Sequence, residues 1–197
     1  MSASIESIPT SWQVTTLSEV LTVLRGVTYK KEDASNVTGE GRIPILRATN
    51  IQQGLVFNDL VYVARKYVAE DQLMRANDIV IAASSGSRSI VGKAAQLTVD
   101  WYGSFGAFCY GLRPKPGINP RFLNWFLQST EYRNHVSELS AGVNINNLRA
   151  RHIEETPIRI PPLPEQHRIV AEIEKQFTRL DAGVAALRRV QANLKRY

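Results

Sequence analysis

Cysteine occurs once in this chain of 197 residues, at Cys109. A lone thiol excludes an internal disulfide framework and any cysteine-rich zinc site. Histidine is almost as scarce. His135, His152 and His167 lie scattered, which argues against a histidine-built metal centre. No apolar run approaches the roughly 20 residues needed to span a bilayer. The start, Met1-Ser2-Ala3-Ser4-Ile5-Glu6, lacks the basic flank and apolar stretch of a signal peptide. A soluble, cytoplasmic protein is the expectation. Catalytic grammar is missing as well: there is no P-loop, no G-x-G-x-x-G on a strand-to-helix turn and no G-x-S-x-G elbow. Ser84-Ser85-Gly86-Ser87 has only the Ser and Gly of that last pattern, with no nearby His. Glu154 and Glu155 are adjacent and so diverge on either a helix or a strand.

What is present is a modest excess of cations, 24 Lys+Arg against 18 Asp+Glu, for a formal charge of +6. That balance suits a polyanionic partner without requiring one. An apolar fraction of 44 % over this length is enough for a real core, in one domain or one domain plus an appendage.

The chain divides into a mixed body, residues 1–160, and a helical tail, residues 161–197. Thr16-Leu17-Ser18-Glu19 has capping-box spacing, and Leu17, Val20, Leu21 and Leu24 share one helical face, so a helix ending at Gly26 is expected. The texture then turns β-like. Ile43–Leu46, Val61–Val63, Ile79–Ala82 and Ala107–Leu112 read as short strands, punctuated by Gly, Asn and Asp. Asn119-Pro120 opens a second helix as N-cap and first residue, running to about Leu139. Thr156–Ile160 reads as a last edge strand, and Pro161-Pro162-Leu163-Pro164 as a stiff connector. The expected fold is α+β: a mixed, twisted, partly closed β-sheet body with flanking helices, followed by a long C-terminal coiled-coil helix.

The tail carries the clearest periodicity. Val170, Ile173, Phe177, Leu180, Val184, Leu187 and Leu194 fall on a heptad seam that only Gln191 interrupts. A repeat of 3.5 asks for a second helix to supercoil against; packing along its own body is the alternative. The tail ends without a C-cap Gly or Asn, so the helix is expected to continue in a longer protein.

The polar loops hold the donors that nucleic-acid surfaces use. Thr28, Lys30 and Lys31 follow the first helix. Arg47 and Asn50 follow one strand, and Ser85, Ser87, Arg88 and Lys93 follow another. Asn144, Asn146, Asn147 and Arg149 crowd a later loop. Arg and Lys neutralise phosphates or pair with guanine, Asn pairs with adenine, and hydroxyls serve either role. Taken singly, each loop also reads as ordinary turn and surface chemistry.

Several segments, in order, resemble the specificity subunit of type I restriction-modification enzymes. Ile8-Pro9-Thr10-Ser11-Trp12 with Thr16–Val20 is similar to that family's opening. Arg25–Lys30 resembles its Gly-Thr-Pro-Lys loop, with Tyr29 where Pro is common. Ile43–Ile51 resembles its I-P-x-L-R-x-x-N-I strand and turn, and Asn77–Ala82 its x-G-D-I-L strand, with Asn77 in place of Gly. Ile158–Val170 matches the I-P-P-L-x-E-Q-x-R-I-V lead-in to its spacer helix. The resemblance implies one target recognition domain and one conserved spacer, reading half of a bipartite double-stranded DNA site. It implies no catalysis in this chain. Methyltransferase subunits would carry S-adenosylmethionine for adenine-N6 methylation, and restriction subunits ATP and Mg, so no cofactor is expected here. Since only one recognition domain is present, the chain is either the front of a two-domain subunit or a half-length subunit acting as a homodimer. Two other readings stay open: a nuclease or methyltransferase in its own right, and a coiled-coil scaffold that binds no DNA.

Overall fold

The computed structural model describes residues 9–87, 89–141 and 147–195. The elements are β1 (Gln13–Thr16), α1 (Leu17–Val20), β2 (Leu21–Arg25), β3 (Arg42–Leu46), β4 (Val61–Ala64), β5 (Ile79–Ala82), β6 (Ala94–Gln96), β7 (Ser104–Phe105), β8 (Cys109–Pro114), α2 (Pro120–Gln128), α3 (Thr130–Ala141), α4 (Ala150–Glu154), β9 (Pro157–Ile160) and α5 (Leu163–Leu194).

The strands form three open sheets. An antiparallel sheet runs β2-β8-β5-β6, a mixed sheet β4-β3-β7 has β3 and β7 parallel, and β1 pairs with β9 in a separate ribbon. The fold is thus the expected α+β body with a long terminal helix, its strands divided among sheets. Leu17, Ile79, Ile81, Leu112, Leu123, Leu127 and Tyr132 build the main core between the larger sheet and the helices. A second core around Val80, Leu97 and Phe105 fills the other face of that sheet.

Two expectations need correction. The first helix is a single turn, and Leu21–Arg25 is a strand. Thr16 makes no side-chain cap; its hydroxyl lies 2.8 Å from that of Ser18. The run Leu21-Thr22-Val23-Leu24 finds a ladder partner in β8, from Leu21 opposite Pro114 to Arg25 opposite Tyr110, and sheet pairing overrides a four-residue helical pattern. Gly26 is accordingly no helix stop. A Cβ there would stand 2.1 Å from the Gly106 carbonyl oxygen, so glycine permits the two sheets to meet.

The second helix is broken at Ser129, whose backbone is extended. The Ser129 hydroxyl accepts the Tyr132 N–H at 3.2 Å, so the residue ends α2 and caps α3. The start of α2 agrees with the sequence: the Asn119 side chain accepts N–H bonds from Arg121 and Phe122. A short helix, α4, begins directly after Arg149.

The tail, α5, spans 32 residues, or roughly 48 Å at about 1.5 Å per residue. Nearly its first half is docked. Gln166 is buried, accepting the Asn119 N–H and donating to the Pro161 carbonyl, both at 2.9 Å. Val170 enters the main core and Ile173 is half-buried. Phe177 stacks on Trp125. Beyond it Leu180, Val184, Leu187 and Leu194 are exposed, with Val190 beside them. The heptad seam is therefore divided. Its opening residues serve the protein's own body, and the remainder stands clear of it.

Candidate nucleic-acid interface

The strand directions bring distant loops to one pole. The C-terminal ends of β2 and β5 both lie beside the start of β8, where Arg25 pairs with Tyr110 and Ala82 with Cys109. The β7–β8 turn is at the same end, and the parallel register of Leu46 with Phe105 adds the end of β3. The opposite end of β8 leads through Lys115 to Asn119 and the α2–α5 joint. One six-residue strand thus separates the loop pole from the root of the stalk.

A groove of about 710 Å³ opens at the loop pole. Val27, Gly106 and Cys109 line its apolar floor, while Thr28, Lys31, Asn36, Arg47, Thr49, Ser84 and Phe108 contribute to its walls. Burial is the main cause that raises the Tyr29 hydroxyl above its ordinary pKa. The Cys109 thiol is pushed up to about 12 by burial, so it is a neutral packing group and not a nucleophile.

The turn after β3 is built around Asn50. Its side-chain oxygen accepts the Arg47 N–H at 2.9 Å, and its amide donates to the carbonyls of Val56 and Asn58 at 3.0 and 2.8 Å. Asn50 is buried with these polar groups engaged. This corrects the sequence assignment: Asn50 shapes the turn and does not present its amide to a ligand. Arg47 is what the turn presents, with its guanidinium donating to the Asp59 carbonyl at 2.6 Å.

The remaining candidates separate. Thr28 and Lys31 line the groove. Lys30 is exposed and lies 3.7 Å from Glu32. Ser85 and Ser87 sit in the exposed loop after β5, where the Ser85 hydroxyl accepts the Ser87 N–H at 3.2 Å. Arg133 of α3 holds that loop by donating to the carbonyls of Val91 and Ser89. Asn147 forms a bridge with Ser84, and Leu148 N–H donates to the Ala83 carbonyl, so the later loop reaches the groove rim. Arg149 is exposed, and its N–H donates to His152 Nδ1 at 3.2 Å. Burial, then Arg151 and Arg149, lower the His152 pKa. Lys93 lies elsewhere, in a depression with Gln52, Gln128 and Arg133. Arg88, Asn144 and Asn146 lie outside the described residues.

The sequence did not single out Asn36 or Phe108, which also line the groove. Phe108 sits in an apolar run that reads as strand, but the ladder begins one residue later, at Cys109. Among the described residues no group of three His, Cys, Asp or Glu could hold a metal ion.

Comparison with known proteins agrees with this architecture. Residues 9–186 match the family model described as the type I restriction modification DNA specificity domain. The chain is 43 % identical over 191 residues to the type I restriction enzyme StySPI specificity subunit of Salmonella potsdam, covering 96 % of this chain and 41 % of that protein. It is 42 % identical over 195 residues to the type I restriction enzyme EcoKI specificity subunit of Escherichia coli K12, covering 98 % of this chain and 42 % of that one. The chain thus spans about two fifths of the length of these relatives. A solved structure concerned with complex assembly and conformational transition of the type I R-M system shares the fold. Its TM-score is 0.74 at 22 % identity, over 98 % of this chain and 45 % of that one. Matched over most of its length by the family model and by two close relatives, this chain belongs to the type I restriction modification DNA specificity domain family.

Proposed function

We propose that this chain is a non-catalytic DNA-reading module, whose loop pole recognises one half of a bipartite duplex site while α5 sets its distance from a second reader. The observation that carries this reading is the convergence of segments remote in sequence on one groove. Thr28, Lys31, Arg47, Thr49, Ser84 and Asn147 meet there, at the end of β8 opposite the stalk. Cations fix register on the phosphates and neutral donors face base edges. The names of its curated relatives support this role. The exposed stretch of α5 offers Leu180, Val184, Leu187 and Leu194 to a second stalk, from the same polypeptide or from another copy. Methyltransferase and restriction subunits are the partners this reading requires. They would carry S-adenosylmethionine, ATP and Mg in a cytoplasmic complex.

The test is the salt dependence of duplex binding by the complete protein in its native complex. Phosphate neutralisation makes log affinity fall linearly with log salt. Lys31→Ala and Arg47→Ala should each weaken binding, and each phosphate contact removed should reduce that slope by about one. Binding that ignores salt, or is unchanged in the double variant, contradicts the reading.

A further inference from the structure

Phe108 is 70 % exposed, as open as any large apolar side chain described here. It stands on the wall of the groove, with Thr28, Lys31, Arg47, Thr49 and Ser84 among the other lining residues. Its backbone is held from both sides. The Phe108 carbonyl accepts N–H bonds from Ala83 and Ser84, at 2.9 and 3.0 Å, and Cys109 N–H donates to the Gly106 carbonyl at 2.8 Å. The next residue, Cys109, is fully buried and begins β8. The structure therefore presents a large apolar ring to solvent on a turn fixed by the segment after β5 and by its own Gly106–Cys109 bond.

Such a ring cannot neutralise a phosphate or hydrogen-bond to a base edge. In the major groove of B-DNA the apolar feature that distinguishes one base from the others is the C5 methyl of thymine, and phenylalanine is one of the side chains that contacts it. We infer that Phe108 is a specificity-determining residue that packs on a thymine methyl while the surrounding polar groups hold the duplex. This rests on the DNA-reading role proposed above. It adds an apolar contact with a base edge to the phosphate and hydrogen-bond contacts of that role.

The test uses the complete protein in its native complex. Selection and sequencing of bound duplexes defines the preferred site, and each thymine in it is then replaced by uracil, which removes only the methyl. In the wild type, one or two positions should lose affinity by roughly fourfold, the worth of one buried methyl. Phe108→Ala should bind the thymine and uracil versions equally, and Phe108→Leu should keep part of the preference. The salt slope should not change in either variant, because no phosphate contact is removed. Indifference of the wild type to uracil at every thymine overturns the inference, as does Phe108→Ala discriminating as well as the wild type. Loss of subunit assembly with discrimination intact also overturns it, assigning the ring to a protein contact. A wild type that selects no sequence at all brings down the DNA-reading proposal itself, a result distinct from selection that is blind to the methyl.

Discussion

Trp125 of α2 and Phe177 of α5 stack with ring centroids 5.0 Å apart and planes 7° from parallel. Arg121, one turn before Trp125, lies over the indole at 5.3 Å and reaches Glu174 at 2.5 Å. With the buried Gln166 bonds below them, these contacts fix the direction in which the stalk leaves the body. Phe177→Ala should lower stability by about 1–2 kcal/mol, since the ring is half exposed and loses a stacking partner. Gln166→Ala should cost more, about 2–4 kcal/mol, because the Asn119 N–H and Pro161 carbonyl lose their partner within the joint. Chemical denaturation of both variants measures the difference. A more harmful Phe177→Ala would show that stacking, and not the buried amide, dominates the joint.

Asp78 and Arg113 form the other internal tie. The carboxylate is almost fully buried, its oxygens 2.7 and 3.0 Å from the guanidinium nitrogens, and Arg113 also donates to the Leu73 and Asp71 carbonyls. Asp78→Ala leaves Arg113 with a buried, partly uncompensated charge and should cost about 3–5 kcal/mol. Replacing both with apolar residues of similar size should restore much of that loss, a comparison that thermal denaturation of the single and double variants decides.

His152 makes stability depend on pH. Burial and the two neighbouring arginines depress its folded pKa below the ordinary 6.5, so the unfolded chain binds the proton more readily than the native one. Its contribution is present above about pH 6.5 and is lost as pH falls through the depressed value. Protonation also removes the acceptor that Arg149 N–H uses. His152→Gln should flatten the stability profile below pH 6.5 in paired denaturation curves. An unchanged profile would place the effect elsewhere.

Much of this architecture is legible from sequence because local and tertiary signals agree. Asn119-Pro120 caps α2 as its chemistry demands, and Ile79–Ala82 is a fully buried strand. The stalk follows from its heptads. The failures share one cause, partners that only the fold supplies. Leu21–Arg25 carries a helical spacing, yet β8 is waiting beside it. Asn50 has the residue type of a base reader, yet its own loop consumes the amide. Lys93 is a surface cation on a loop that bears groove residues, but it emerges at the other end of that loop. Phe108 was hidden by its apolar neighbours, since one residue of register decides whether the ring faces a core or water.

The stalk seam makes a separate prediction. Leu180→Asp with Leu187→Asp places two charges on the exposed apolar stripe and should abolish association with a second stalk, without unfolding the body that those residues do not touch. Light scattering and circular dichroism report the two effects separately. In the complete protein, four residues inserted near Ala182 lengthen the helix by about 6 Å. At about 3.4 Å per base pair, the gap between half-sites should widen by one or two base pairs in the map of recognised sites.

The most direct test of the central claim is photocrosslinking to duplex DNA from two positions of the complete protein in its native complex. One is Thr49 in the groove, and the other is Lys115 at the far end of β8, beside the stalk joint. The account predicts that a photoreactive side chain at Thr49 links to DNA and one at Lys115 does not. Crosslinks from Lys115 with none from Thr49 would put the duplex at the wrong pole and contradict it.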